Sequence, residues 1–302
     1  MPERGTLGAV KAFYARLCLA ASVAAAGCLG GSGGAASSSE LEMPFAAGPG
    51  FNVLVFTRTA GFRHDSISDG VAAIRALGDR AGFEVDWTED ATAFTDENLS
   101  RYTAVIFLST TGDILAGDEE RVFERFVRAG HGYVGIHAAA DTEYGWPWYG
   151  GLVGAYFRIH PEIQPAIVLV EDPSHPSTAV LPVAWPRTDE WYDFQTNPRG
   201  SASILLTLDE ASYAGGTMGE DHPIAWYHAY DGGRAWYTAG GHTSESFESR
   251  SFCTIFSVAS FTPPASNRGP MGRNRCPARV LIRGRASPPG YYLLAFPRSN
   301  PC

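Results

Sequence analysis

Asn52-Val53-Leu54-Val55-Phe56, followed by the stretch Ser66 to Ala81, decides how this chain folds. The first is a short, continuous apolar run rich in β-branched residues, the pattern of a strand buried on both faces. The second sets Ile67, Val71, Ile74 and Leu77 at three- and four-residue steps, which makes one apolar helical stripe, and Gly82 stops it. Working outward, the alternation repeats. Phe83 to Trp87 reads as a second strand and Ala104 to Leu108 as a third. Asp118 is placed to cap the next helix, with Glu119 and Glu120 in its first turn and Val122, Phe123, Phe126 and Val127 as its buried stripe. Gly130 ends that helix, and Gly132 to His137 is a fourth strand. Such alternation predicts an α/β fold, a mostly parallel sheet flanked by helices. A strand-rich second half follows, with strands at Ile163 to Val170, Ile204 to Leu208, Ile224 to Tyr230 and Arg234 to Thr238. Asp231-Gly232-Gly233 reads as a hairpin turn between the last two.

Composition narrows the function. The chain has 302 residues, of which 45% are hydrophobic, enough for a sizeable core. Its net charge of −9 argues against a nucleic-acid partner, which needs a basic face. Lys11 is the only lysine, so Schiff-base, pyridoxal-phosphate and Walker-type chemistry are excluded from the body of the chain. The five cysteines are Cys18, Cys28, Cys253, Cys276 and Cys302. None falls in the segment that forms the core, which excludes a cysteine nucleophile or cysteine zinc site there.

Both ends depart from the body. Arg4, Lys11 and Arg16 precede a short apolar run from Leu17 to Ala26, the make-up of a secretory signal peptide over residues 1–27. Ala25-Ala26-Gly27-Cys28 resembles a lipobox, and residues 28–50 then form a lipidated Cys28 with a Gly/Ser/Ala tether. An ordinary signal peptide with a chance cysteine is the alternative. The lipoprotein reading places the protein in the cell envelope, lipid-anchored, with the outer membrane favoured because Leu29 rather than aspartate follows the cysteine; cleavage without lipidation leaves it periplasmic. The expected domain runs over 51–252. Residues 253–302 hold seven arginines and no acid, with Pro263-Pro264 and Pro288-Pro289 breaking any helix. This tail reads either as disordered or as the product of a shifted reading frame, and it lends weight to a further reading of the domain as an inactive remnant.

Ligands of open α/β sheets sit beyond the carboxyl ends of the strands. Arg63 and His64 follow the first strand, His137 sits at the tip of the turn after the fourth, and His242 follows the last. Between them lie His160 and Asp189-Glu190-Trp191-Tyr192. Histidine serves near neutral pH as acid, base or metal ligand, and Glu190 could orient one. Trp146, Trp148, Trp191 and Tyr192 offer flat faces for a sugar ring or simply core packing. His131, His175, His222 and His228 read as structural or exposed. Three spaced histidines and one acid admit a divalent metal such as zinc, although no close-spaced His-x-His pair is present.

Six segments in register resemble the ThuA-like, trehalose-utilisation family: Thr59 to Ile67, Gly132 to Ala139, Phe157 to Pro161, Asp189 to Tyr192, Pro223 to Trp226, and Gly233 to Tyr237 with Gly241-His242. The resemblance covers about residues 52–252. It implies a fold like that of class I glutamine amidotransferases. That fold carries a cysteine at the elbow tip, where this chain has His137, so glutamine hydrolysis is not carried over. It also implies a carbohydrate role linked to 3-keto sugars made by a partner sugar dehydrogenase. The expected chemistry is acid–base work on a 3-keto disaccharide or glycoside, as a hydrolase, lyase or isomerase. His137 and His242 would move protons or hold metal, with Glu190 orienting a histidine. Arg63, His64 and His160, with Trp191 and Tyr192, would hold the sugar. The alternative is a non-catalytic sugar- or glycan-binding lipoprotein.

Overall fold

The computed structural model describes residues 51–255. The signal segment, Cys28 with its tether, and the tail beyond residue 255 lie outside the described residues. In chain order the elements are β1 (Asn52–Phe56), α1 (Ile67–Ala81), β2 (Glu84–Thr88), α2 (Asp96–Leu99), β3 (Ala104–Leu108), α3 (Gly117–Arg128), β4 (Gly132–Ile136) and α4 (Pro147–Val153). Then come β5 (Phe157–Ile159), β6 (Gln164–Val170), β7 (Ala184–Asp189), β8 (Asp193–Phe194), β9 (Ser203–Asp209), β10 (Pro223–Tyr230), β11 (Gly233–Thr238), α5 (Ser244–Glu248) and α6 (Arg250–Ile255).

One large sheet has the order β2-β1-β3-β4-β11-β10-β9-β6-β7, with β5 and β8 as a separate pair. The first five strands pair in parallel. The other four continue the sheet antiparallel. Following those pairings, seven of the nine strands run in one direction, and only β10 and β6 oppose it. β1, β4, β11 and β7 therefore end on the same side of the sheet, which is what positions the site.

Alternation along the central strands divides the core in two. Phe107 and Tyr133 face α3 and α4; Phe107 stacks on Phe123 with ring centroids 5.2 Å apart, and Tyr133 meets Tyr149 edge-on at 5.8 Å. Burying each such ring contributes about 1.5–3 kcal/mol. Leu108 and Ile136 point to the opposite face, under α1 and α5. There α1 approaches so closely that a Cβ on Gly70 would lie 2.9 Å from Leu108 and 3.0 Å from Phe247. Asp231 and Gly232 join β10 to β11 with φ of 44° and 92°, the left-handed pair of a tight hairpin turn.

Three expectations change in detail. Asp118 does not cap α3: the cap position is Ala116, without a side-chain bond, and Asp118 sits in the first turn beside Arg121. The fourth strand stops at Ile136, because His137 opens a one-turn 3-10 segment, His137–Ala140. The boundary set at residue 253 falls inside α6, where buried Cys253 donates from Sγ to Phe247 O at 3.1 Å. Several elements lacked a signal strong enough to predict, among them β5, β7, β8, α2 and α4. β7 carries Pro186 and pairs only with β6, at the sheet's edge, where a proline is tolerated.

Candidate functional site

Four loops build one cluster. His64 lies between β1 and α1, His137 follows β4, Glu190 follows β7 and His242 follows β11. β7 is the far strand of the sheet order, four places from β11. The end of β7 and the loop that follows β11 nevertheless meet: Asp189 accepts from Gly241 N at 3.0 Å and from His242 N at 3.1 Å. Asp189 also takes Ser246 Oγ at 2.8 Å and pairs with buried Arg187 at 3.3 Å. Adjacent carboxylates thus divide the work, Asp189 holding the backbone of the His242 loop and Glu190 its side chain. Ser66 Oγ donates to Gly241 O at 3.0 Å and ties the same loop to the start of α1.

His137 is the centre. It is fully buried and has a φ of 52°, a conformation costly for any residue with a Cβ and kept only where its surroundings hold it. Tyr237 Oη donates to His137 O at 2.8 Å. His137 Nδ1 donates to Ala239 O at 2.7 Å, since a carbonyl can only accept. A neutral ring then presents a bare Nε2 to the cluster. Around that nitrogen stand His64 Nε2 at 3.1 Å, His242 Nδ1 at 3.2 Å and Glu190 Oε2 at 3.4 Å. Glu190 Oε2 is also 3.0 Å from His242 Nδ1, and its other oxygen is 3.1 Å from His160 Nδ1. One carboxylate therefore serves three imidazoles. His160 and His242 reach solvent, whereas His64 and His137 do not.

The environment separates the groups electrostatically. Burial works to raise the Glu190 carboxyl, but hydrogen bonding to the imidazoles of His137 and His242, and their charge whenever they are doubly protonated, outweigh it and hold Glu190 well below the usual range. For His242 burial is outweighed by the Glu190 hydrogen bond and charge, so its affinity for a proton rises. His64 goes the other way: burial, then repulsion from His137 and His242, pushes it down to about 3. The cluster thus holds a fixed anion, an imidazole inclined to take a proton and one kept neutral.

The remaining predicted residues are placed differently. Arg63 turns to the surface and pairs with Glu89 at 2.7 Å, in none of the cluster contacts. Trp191 is 1% exposed and donates from its indole to Gln164 O at 2.8 Å, so it packs in the core and offers no open face to a sugar. Tyr192 is likewise buried, its ring 4.3 Å from that of His137, and supports the cluster from below. Trp146 and Trp148 stack on each other at 5.1 Å beside α3. An exposed aromatic at the cluster is Phe62, 65% exposed and edge-on to His64 at 4.9 Å. Its only sequence signal was its place beside Arg63-His64.

A second group was legible only in part: His222 reads from the sequence as structural or exposed, and it is structural, but its partners were not foreseen. Fully buried His222 contacts Glu210 Oε1 at 2.8 Å through Nδ1 and donates from Nε2 to Tyr192 O at 2.8 Å. Asp193 lies beside it, 3.7 Å from Nε2. This group anchors the backbone that carries Glu190-Trp191-Tyr192. No spacing in the chain announces it.

The comparisons with known proteins agree with this architecture. A family model described as ThuA, trehalose utilisation, matches residues 52–259. A solved ThuA-like protein from Bacteroides uniformis superposes with a TM-score of 0.62 at 26% identity, covering 73% of this chain and 93% of that one. Another from Parabacteroides merdae gives 0.55 at 18% identity, covering 69% and 88%. No curated protein matches the chain. With the family model spanning more than half its length, the chain belongs to the ThuA (trehalose utilisation) family.

Proposed function

We propose that this is a carbohydrate-active protein whose histidine–carboxylate cluster performs acid–base chemistry on a keto-sugar or glycoside of the disaccharide class. The observation that carries the reading is the convergence of His137, His242, His160 and Glu190 at the carboxyl edge of the sheet. The family's description, trehalose utilisation, supports the carbohydrate class. A 3-keto group acidifies the neighbouring C–H, and an imidazole near neutral pH is suited to take that proton. In this reading His137 and His242 move protons and Glu190 orients them. His160, at the exposed edge, meets sugar hydroxyls, and Phe62 takes over the apolar sugar-facing role once expected of the tryptophans. We read the fold as amidotransferase-like, supported by the strained turn at His137, with histidine where that fold carries its nucleophile. A partner sugar dehydrogenase would supply the keto substrate.

The test is a panel of disaccharides and their 3-keto forms. Turnover that falls at least about 100-fold in His137→Ala is expected; unchanged turnover contradicts the reading. Binding without turnover would favour the non-catalytic sugar-binding alternative. We further infer lipidation at Cys28 and attachment to the envelope, with Cys28→Ser expected to release the protein from membranes. A Cys28→Ser protein that stays membrane-bound removes the anchor.

A further inference from the structure

We propose that His64, His137, His242 and Glu190 form a binding site for one divalent first-row transition ion. Each contributes a ligand-type atom, and the four atoms lie within 4.8 Å of one another. The distances are more telling than the proximity. A tetrahedral ion with bonds of about 2.0–2.1 Å sets its ligand atoms about 3.3–3.4 Å apart, and an octahedral one with slightly longer bonds sets neighbours about 3.0–3.1 Å apart. The pairs here measure 3.1 Å (His137–His64), 3.2 Å (His137–His242), 3.4 Å (His137–Glu190) and 3.0 Å (His242–Glu190). These four distances match the edges expected of a coordination polyhedron, and the two remaining pairs, both to His64, lie within 4.8 Å.

Hydrogen bonding points the same way. His137 donates its Nδ1 proton to Ala239 O, the outer-shell arrangement that fixes a ligating histidine with Nε2 free. That nitrogen has a single lone pair and faces three atoms that are themselves acceptors unless protonated. A divalent cation at the centre satisfies all four at once. The mixture of imidazole and carboxylate suits zinc, cobalt, manganese or iron rather than calcium or magnesium, whose ligands are oxygens. Chain folding also meets the demand for rigidity: the Tyr237 bond to His137 O and the Asp189 bonds to the His242 loop hold two ligand loops from outside the cluster. The Asp193–Glu210–His222 group does not qualify. His222 Nε2 is spent on Tyr192 O, and its Nδ1 is engaged by Glu210 and Tyr213.

The inference concerns the same nitrogens that the proposed function assigns to proton movement, so with an ion bound His137 and His242 act as its ligands instead; ion binding is measured without substrate, which keeps the two readings distinguishable. The full-length protein, stripped with chelator, is titrated with Co²⁺ and with Zn²⁺ and followed by calorimetry, visible absorption and thermal melting. One equivalent per chain is expected. Cobalt should show d–d bands of a nitrogen-rich site, and the melting temperature should rise with the ion. His137→Ala should weaken binding at least about 100-fold, a loss at the upper end of what outer-shell changes alone produce. His242→Gln, at the partly exposed edge, repeats the test should His137→Ala not fold. Glu210→Gln should bind as the parent does. A folded, stripped protein that takes up no ion overturns the proposal. So does undiminished binding in folded His137→Ala or His242→Gln, or a loss confined to Glu210→Gln. A protein that takes up no ion yet turns the sugar over would leave the acid–base reading intact while this inference fails.

Discussion

The two halves of the large sheet carry the site in different ways. The parallel half, β2-β1-β3-β4-β11, supplies the three histidines of the cluster, each from the loop that follows a buried strand. The antiparallel half, β10-β9-β6-β7, supplies the carboxylate, from a strand that is partly exposed and at the edge. A parallel sheet covered on both faces places its ligand loops by topology alone. The other half has no such rule and must be fastened side chain by side chain. Asp189 is the fastener, buried and bonded to the His242 loop from the neighbouring position to Glu190.

The sharpest way to break this comparison is Asp189→Ala. It removes the acceptor for Gly241 N, His242 N and Ser246 Oγ, and leaves Arg187 buried without its carboxylate. Losing one partner of a buried pair costs about 3–5 kcal/mol. Denaturant unfolding should show that loss, with turnover falling alongside; a loss below about 1 kcal/mol would mean that the halves are held together elsewhere.

Glu143 probes the parallel half through pH. Burial, with a further contribution from Asp113, raises its carboxyl to about 7 against the hydrogen bonds from Ile114 N and Leu115 N. The folded state therefore binds a proton that the unfolded state has released between about 4.5 and 7. Stability contributed by this group is full below the lower value and declines as pH rises through that window. Glu143→Gln should flatten that decline in melts taken across it. An unchanged slope would show that Glu143 titrates normally.

Tyr237→Phe removes only the hydroxyl that donates to His137 O. A loss of about 1 kcal/mol is expected from one such bond, together with reduced turnover as the strained turn loosens. Reduced stability with full turnover would uncouple the turn from the chemistry. The smallest effect belongs to Arg63→Ala. Its partner Glu89 is exposed, and such pairs contribute about 0–1 kcal/mol. A melt shifted by more would give Arg63 a role the Glu89 pair does not explain.

How much of this was legible in the chain follows the same division. Val53 to Phe56 and Ala104 to Leu108 are continuous apolar runs because both faces of those strands are covered, so they announce themselves. His137 was legible because a histidine at the end of such a strand must lie at the carboxyl edge. β7 was not: Ala184 to Asp189 mixes Pro186, Arg187 and half-exposed positions, and its burial depends on partners far away in sequence. Glu190 was legible only through its motif, since nothing local says that the end of an edge strand will bond the loop after β11. The tryptophans stayed ambiguous for a related reason. An aromatic near a site motif reads equally as sugar platform or core, and for Trp191 only the bond to Gln164 O decides.

The most direct test of the account joins the two halves in one measurement. Turnover of a 3-keto disaccharide is compared in the parent, His137→Ala, Glu190→Gln and the double variant, with folding checked in each. If the cluster acts as one unit, the double variant loses no more than the worse single one, because removing either residue already dismantles it. Losses that multiply, or a Glu190→Gln protein as active as the parent, would contradict it.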